Sequence, residues 1–212
     1  MDRYDHRTPT LRPLDFVEFG PGLGPDLDRR LIGDVDGKRV LDIGCGAGHT
    51  AVGLATRGAR VTATDGDEAQ LAAARQLATE NEIAVEYHHA DPAELAFIRA
   101  DQIDLALSVY GLSHVDDLDR VFRQVHRVLR PSAHLIVALP HPALLCADPA
   151  DTGRVAHPWP TSELINGRYV HTAESVVTAF GRTKFASDVL LERSNGGPVP
   201  DTLIVRGRRL GA

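Results

Sequence analysis

Cysteine is scarce: Cys45 and Cys146 are the only two in 212 residues. Neither a disulfide framework nor a cysteine zinc cluster is therefore expected. No stretch approaches the ~20 apolar residues of a membrane span. The opening Met-Asp-Arg-Tyr-Asp-His-Arg has no apolar leader segment either, so a cytoplasmic protein without membrane partners is expected. Lysine is nearly missing, with Lys38 and Lys184 alone among 23 basic residues. Acidic residues number 29, for a formal net charge of −6. That balance argues against nucleic acid as a partner, since phosphate contacts need clustered positive charge. What remains is 43% hydrophobic and 25% charged residues, the composition of a globular domain.

Strand and helix signals alternate through the middle of the chain. Residues 39–43 are a short apolar run bounded by Gly37 and Gly44, as in a buried strand. Helix is predicted at 48–57, strand at 60–64, an alanine-rich helix at 68–80 capped by Asp67, and strand at 84–89. Pro92 opens a short helical turn, and 103–109 is another apolar strand. Leu118, Val121, Phe122, Val125, Val128 and Leu129 form one continuous face of a helix at 117–129, with Asp116 as cap and Pro131 as stop. A fifth strand follows at 134–139. Five strands separated by helices imply a mostly parallel sheet covered on both faces.

The flanks read differently. Residues 1–25 are an irregular arm rich in Pro, Gly and charge, followed by a short helix at 26–35 capped by Asp26. Residues 141–171 carry four prolines and the only Trp and read as an irregular insert. A helix at 173–180 with Thr172 as cap leads to strands at 185–192 and 202–206, whose tight linker suggests an antiparallel pair.

The first strand runs into Asp42-Ile43-Gly44-Cys45-Gly46-Ala47-Gly48 and then a helix. Glycines permit positive φ and close ligand approach, and the helix start behind them offers unpaired N–H groups. A dinucleotide fingerprint would place the third glycine one residue later. Asp42 would also repel a pyrophosphate, whereas it suits a cationic ammonium or sulfonium. Asp65 ends the second strand, where a carboxylate can accept both ribose hydroxyls of a nucleoside.

Val40-Leu41-Asp42-Ile43-Gly44-Cys45-Gly46-Ala47-Gly48 resembles the first motif of the class I S-adenosylmethionine-dependent methyltransferases. The resemblance runs from about residue 37 to 140. It implies an α/β fold, doubly wound around a mostly parallel seven-stranded sheet with a C-terminal antiparallel strand. The implied cofactor is S-adenosyl-L-methionine and the partner a small-molecule acceptor. Asp65 and its neighbour Gly66 match the ribose position. Ala90, Asp91 and Pro92 match the adenine side, and Ser108 and Val109 the methionine side. Residues 1–36 would be an arm forming part of a lid, and 37–212 the methyltransferase domain with the acceptor-side insert. Ser132-Ala133 stands where the family usually has Gly-Gly, so that turn must be built differently.

Several of these residues also have plainer readings. Asp91 can merely cap the turn opened by Pro92, and Cys45 reads as a small filler rather than a nucleophile. His88 and His89 are adjacent on a strand, point to opposite faces and cannot easily share an ion, so no metal is expected. His114, Tyr110 and His141 are candidates for a general base, or for pocket wall and loop cap. Trp159 covers the acceptor pocket or packs the insert. Arg206, Arg208 and Arg209 read as a solvated strand edge. A homodimer is one way to complete the pocket. A non-catalytic module binding S-adenosylmethionine or S-adenosylhomocysteine is the alternative to an enzyme.

Overall fold

The β-branched and aliphatic runs become the strands of one sheet, in a computed structural model that describes residues 14–148, 150–158 and 164–211. In chain order come α1 (Pro25–Leu31), β1 (Arg39–Ile43), α2 (His49–Thr56), β2 (Arg60–Asp65), α3 (Glu68–Glu80) and β3 (Glu86–His89). Then follow β4 (Ile103–Val109), a 3-10 turn at Gly111–His114, α4 (Leu118–Val128) and β5 (Leu129–Pro140). The last third holds α5 (Pro142–Cys146), β6 (Ala147–Asp148), β7 (Asp151–Val155), α6 (Ala173–Arg182), β8 (Phe185–Arg193) and β9 (Thr202–Arg209).

The seven-stranded sheet has the order β3-β2-β1-β4-β5-β9-β8. The first five strands are parallel, and β9 runs antiparallel between β5 and β8. Burial on both faces explains why β1 and β4 read as unbroken apolar runs. On one face Phe122 and Val125 of α4 and Phe180 of α6 pack on Leu41, Ile43 and Leu135. On the other, Leu54 of α2 and Leu71 of α3 pack on Val40 and Leu107. Val17 and Phe19 of the arm are buried in this second layer, so the described part of the arm belongs to the core. Asp28 fixes it there by accepting the Val17 N–H at 3.2 Å and pairing with Arg57 at 2.8 Å.

Several local expectations are corrected. Asp26 does not cap α1: Gly24 holds that position, Pro25 fills the first turn, and Asp26 pairs with Arg29 instead. The cap of α4 is Asp117, not Asp116; its carboxylate accepts the Arg120 N–H at 2.9 Å. Pro92 opens turns rather than a helix. The insert is partly regular, with α5 and the β6–β7 hairpin. Arg206 and Arg209 are not a solvated edge. Arg206 grips Asp188 with both ends of its guanidinium and reaches the Leu31 carbonyl, while buried Arg209 donates to Asp101 and to the Leu129 carbonyl. Trp159 lies outside the described residues. Among those described, no helix is long and apolar enough to cross a membrane.

Pro131 does not end α4; the helix stops at Val128 and the chain passes directly into β5. The ladder with β4 slips between Ile103↔Leu129 and Leu105↔His134, and Pro131 falls in that slack, where no ladder N–H is needed. Ser132 sits there at φ 66°, the left-handed region that glycine adopts without strain. Ser132→Gly is expected to stabilise the chain by about 0.5–1 kcal/mol, readable in urea denaturation. A destabilised variant would show that the serine side chain holds the bulge.

Candidate active site

The strand order reverses between β1 and β4, the place at which a doubly wound sheet holds its ligand crevice, and the loops leaving the carboxyl ends of these two strands meet there. Gly44, Gly46 and Gly48 have φ of 68°, 54° and 84°. A Cβ on Gly44 would lie 2.7 Å from Gly111 Cα, so the two loops touch backbone to backbone. At Gly48, which caps α2, a Cβ would come within 2.7 Å of Ala74 Cβ on α3. The loop is tied down by its own donors. Gly44 N–H and Cys45 N–H donate to the Thr64 carbonyl at 2.8 and 2.9 Å, and Gly46 N–H donates to Asp65 Oδ2 at 2.8 Å. Ser108, fully buried on β4, donates its hydroxyl to the Ile43 carbonyl at 2.7 Å; Val109 beside it packs into the apolar layer.

Asp42 is 1% exposed, and its Oδ2 has no hydrogen-bond partner among the described residues. Burial, and secondly the charge of Asp65, push its pKa from 3.8 up to about 7. A carboxylate buried in this way takes up its charge readily only beside a cation. Asp65 is buried too, and its Oδ1 accepts the Asp67 N–H at 2.9 Å. Gly66 is exposed with open space where a side chain would stand, which keeps the rim clear. Ala90 N–H donates to the Asp65 carbonyl at 3.1 Å, bringing the Ala90-Asp91-Pro92 bend to the same rim. Exposed Asp91 closes that bend by accepting the Ala93 N–H at 2.7 Å.

Exposed His89 bonds the Gly66 carbonyl at 3.0 Å, while His88 stacks on Phe97 with ring centroids 3.9 Å apart. Among the described residues no group of three His, Cys, Asp or Glu side chains could hold a metal ion. Cys45 is buried, and desolvation with the charges of Asp42 and Asp65 pushes its thiol well above the usual range. It is expected to resist iodoacetamide in the native chain at pH 8 and to react after unfolding, as mass spectrometry would show.

Across the crevice the three histidine and tyrosine candidates separate. Tyr110 takes the left-handed conformation, φ 64°, and its hydroxyl points back to Thr202 Oγ1 on β9 at 2.6 Å. His141 is buried at the end of β5 and caps α5: Nδ1 accepts the Ala143 N–H and Nε2 meets Glu192 Oε1, each at 3.1 Å. Both of its nitrogens are thus committed. His114 closes the 3-10 turn, with Nδ1 3.0 Å from the Gly167 carbonyl. A carbonyl can only accept, so Nδ1 carries the proton and Nε2 is the basic nitrogen of the neutral ring.

Residues 164–171 belong to the insert expected on the acceptor side, but their hairpin and its docking on the 3-10 turn were not foreseen. Asn166 and Gly167 both have positive φ and turn the chain between Ile165 and Arg168, which bridge each other. Tyr169 N–H donates to the Ser113 carbonyl at 2.9 Å, and His171 Nε2 donates to the Val115 carbonyl at 2.8 Å. The hairpin is thereby docked on the 3-10 turn, placing the buried Arg168 and half-buried Tyr169 beside His114. The Asn-Gly dipeptide was the available signal, a strong marker of a tight hairpin.

Residues 41–137 match a family described as methyltransferase domain. A ubiquinone biosynthesis O-methyltransferase of Pseudomonas aeruginosa (strain UCBPP-PA14) is 38% identical over 102 residues, covering 48% of this chain and 44% of that one. One from Pseudomonas putida (strain ATCC 700007 and its equivalents, F1) is 37% identical over 133 residues, covering 63% and 56%. The chain thus spans less than half the length of the first curated relatives it matches. Among solved structures, an S-adenosylmethionine dependent methyltransferase from Mesorhizobium loti superposes with a TM-score of 0.70 at 28% identity, covering 87% of this chain and 96% of that one. The cyclase SpnF reaches 0.72 at 19% identity, covering 88% and 80%, a likeness of fold alone.

Proposed function

We propose that this chain, which belongs to the class I S-adenosylmethionine-dependent methyltransferases, transfers the methyl group of that cofactor to a hydroxyl of a small organic acceptor. The observation that carries this reading is the buried Asp42 carboxylate, with one oxygen unpartnered among the described residues, beside a glycine loop cross-tied to Asp65. When bound, S-adenosylmethionine supplies a methyl already activated by its sulfonium, so the hard chemistry belongs to the cofactor.

The chain's part is to bind and orient. Asp42 offers the negative charge that a bound ammonium or sulfonium needs. Asp65 keeps lone pairs for the ribose hydroxyls beyond those used by Gly46 and Asp67. Gly44, Cys45, Gly46 and Gly48 let the ligand lie against backbone, and open Gly66 leaves room at the ribose edge. Ala90, Asp91 and Pro92 border the adenine side, with Ser108 and Val109 fixing the strand below the methionine side. Alignment of the acceptor behind the methyl can supply ~7–11 kcal/mol of the barrier. A hydroxyl must also lose its proton. His114 Nε2 is the base in this proposal, worth ~10²–10⁴-fold, while Tyr110 and His141 position the walls.

The oxygen acceptor is supported by the names of the curated relatives, which are O-methyltransferases. Residues 37–212 form the catalytic unit in this reading, with 1–36 as the arm, whose described residues 14–36 pack beside α2. The test is transfer of tritium from methyl-labelled S-adenosylmethionine to a panel of phenols and catechols, with amines and thiols alongside. Label in an oxygen-linked product, reduced in His114→Ala with cofactor affinity unchanged, supports the reading. Tight cofactor binding with no transfer to any acceptor, in cell extract as well as pure compounds, would favour a non-catalytic binding module.

A further inference from the structure

A cavity of about 1090 Å³ opens at the other end of the strands, where β1, β2 and β3 begin. Its origin lies in the connection between β3 and β4. Residues 90–102 make turns but no helix, so the outer part of the sheet is incompletely covered there. Phe97 consequently stands 42% exposed, stacked on His88, while Val61, Ile98 and Ile103 contribute apolar lining.

Arg39, Arg60, Arg75 and Arg99 also line this cavity. Arg60 and Arg99 are exposed and have no carboxylate within ion-pair range among the described residues. The Arg39 guanidinium donates to the neutral side-chain amide of Gln102 while its backbone N–H donates to Asp104 at 2.9 Å, and Arg75 pairs with Glu68 at 2.5 Å. Glu86 is the one carboxylate among the lining residues, and it is engaged by His88 at 2.8 Å. With Arg75 neutralised by Glu68, the lining still sets three guanidinium groups against the single carboxylate of Glu86, in a chain of net charge −6. Solvated surface arginines are ordinary, but a concave wall with excess positive charge focuses its field on an anion. The planar fork of arginine also suits the oxygens of a phosphate, sulfonate or carboxylate.

We propose that this cavity is a second ligand site, separate from the crevice at the glycine loop, for a small amphipathic anion. Its occupant has an oxyanion head held by Arg60 and Arg99 and an apolar body lying on Phe97 and Ile98. The site stands independently of the methyl-transfer reading, since no residue assigned to the crevice lines it, although the Tyr87 side chain reaches from its wall to Gly48.

Isothermal titration calorimetry with octyl phosphate below its micellar range tests this, using octanol and inorganic phosphate as the two half-ligands. One saturable site is expected for octyl phosphate, with each half-ligand about tenfold weaker or more. Arg60→Ala/Arg99→Ala should weaken octyl phosphate about tenfold or more, with thermal stability and S-adenosylhomocysteine affinity unchanged. Absence of saturable binding, equal binding by the double variant, or displacement by S-adenosylhomocysteine would each overturn the proposal. Equal binding of inorganic phosphate would overturn the assignment of an apolar body.

Discussion

Asp65→Ala is expected to lower the affinity for S-adenosylhomocysteine about 100-fold or more while leaving the sheet intact. The carboxylate accepts the Gly46 N–H through Oδ2 and the Asp67 N–H through Oδ1, at 2.8 and 2.9 Å. Truncation removes the proposed acceptor for the ribose hydroxyls and also frees the glycine loop from β2. Hydrogen bonds to a charged group are worth ~1.5–3 kcal/mol each, so losing two reaches the stated factor. Asp65→Asn keeps an oxygen but loses the charge and should fall between the two, about tenfold weaker than the parent. Calorimetric titration of the three chains, with circular dichroism to verify folding, decides the matter. Unchanged affinity in Asp65→Ala would remove Asp65 from the site.

The second large effect concerns Asp42 and pH. Its folded pKa is raised from 3.8 to about 7, by burial first and the charge of Asp65 second. In the unfolded chain the same group ionises near its ordinary value, so the folded state holds the extra proton between about pH 4 and 7. Its contribution to stability is therefore fully present below pH 4 and is lost as pH rises towards 7 and just beyond. A shift of this size corresponds to up to about 4 kcal/mol, and Asp42 is too buried for solvent to screen it.

Asp42→Asn, which does not titrate, should thus stabilise the ligand-free chain by about 3–4 kcal/mol at pH 8 and scarcely at all near pH 4. The same substitution should weaken binding of S-adenosylmethionine, because the charge facing the cation is gone. In the parent chain, affinity should rise with pH through about 7, with proton release on binding at pH 6. Denaturation curves from pH 4 to 8 and titrations in buffers of different ionisation enthalpy check both halves. A pH-independent gap between the two chains would show that Asp42 is ionised in the free protein.

Much of the fold was legible because its signals are local. β1, β4 and α3 have the bounds that the apolar runs and the Asp67 cap indicate. The Asp-glycine loop and the carboxylate after β2 were legible too, since the strand-turn-helix context fixes where such residues stand. What stayed hidden depended on distant partners. Nothing near Arg209 in sequence indicates that it reaches Asp101 and the Leu129 carbonyl. Asp116 and Asp117 are chemically alike, and only the helix geometry decides between them. Pro131 was read as a helix stop because a strand with slack in its ladder cannot be recognised from one strand alone. His141 reads from the sequence as a candidate base, yet Glu192, fifty-one residues away, occupies its outer nitrogen.

A structure determined with S-adenosylhomocysteine bound goes straight to the heart of the matter. The ligand should lie where β1 and β4 part, its ribose diol on Asp65 and its amino group on the side of Asp42. Density for it among the arginines at the opposite end of the strands, or a crevice left empty at saturating ligand, would contradict the assignment of that crevice as the methyl-donor site.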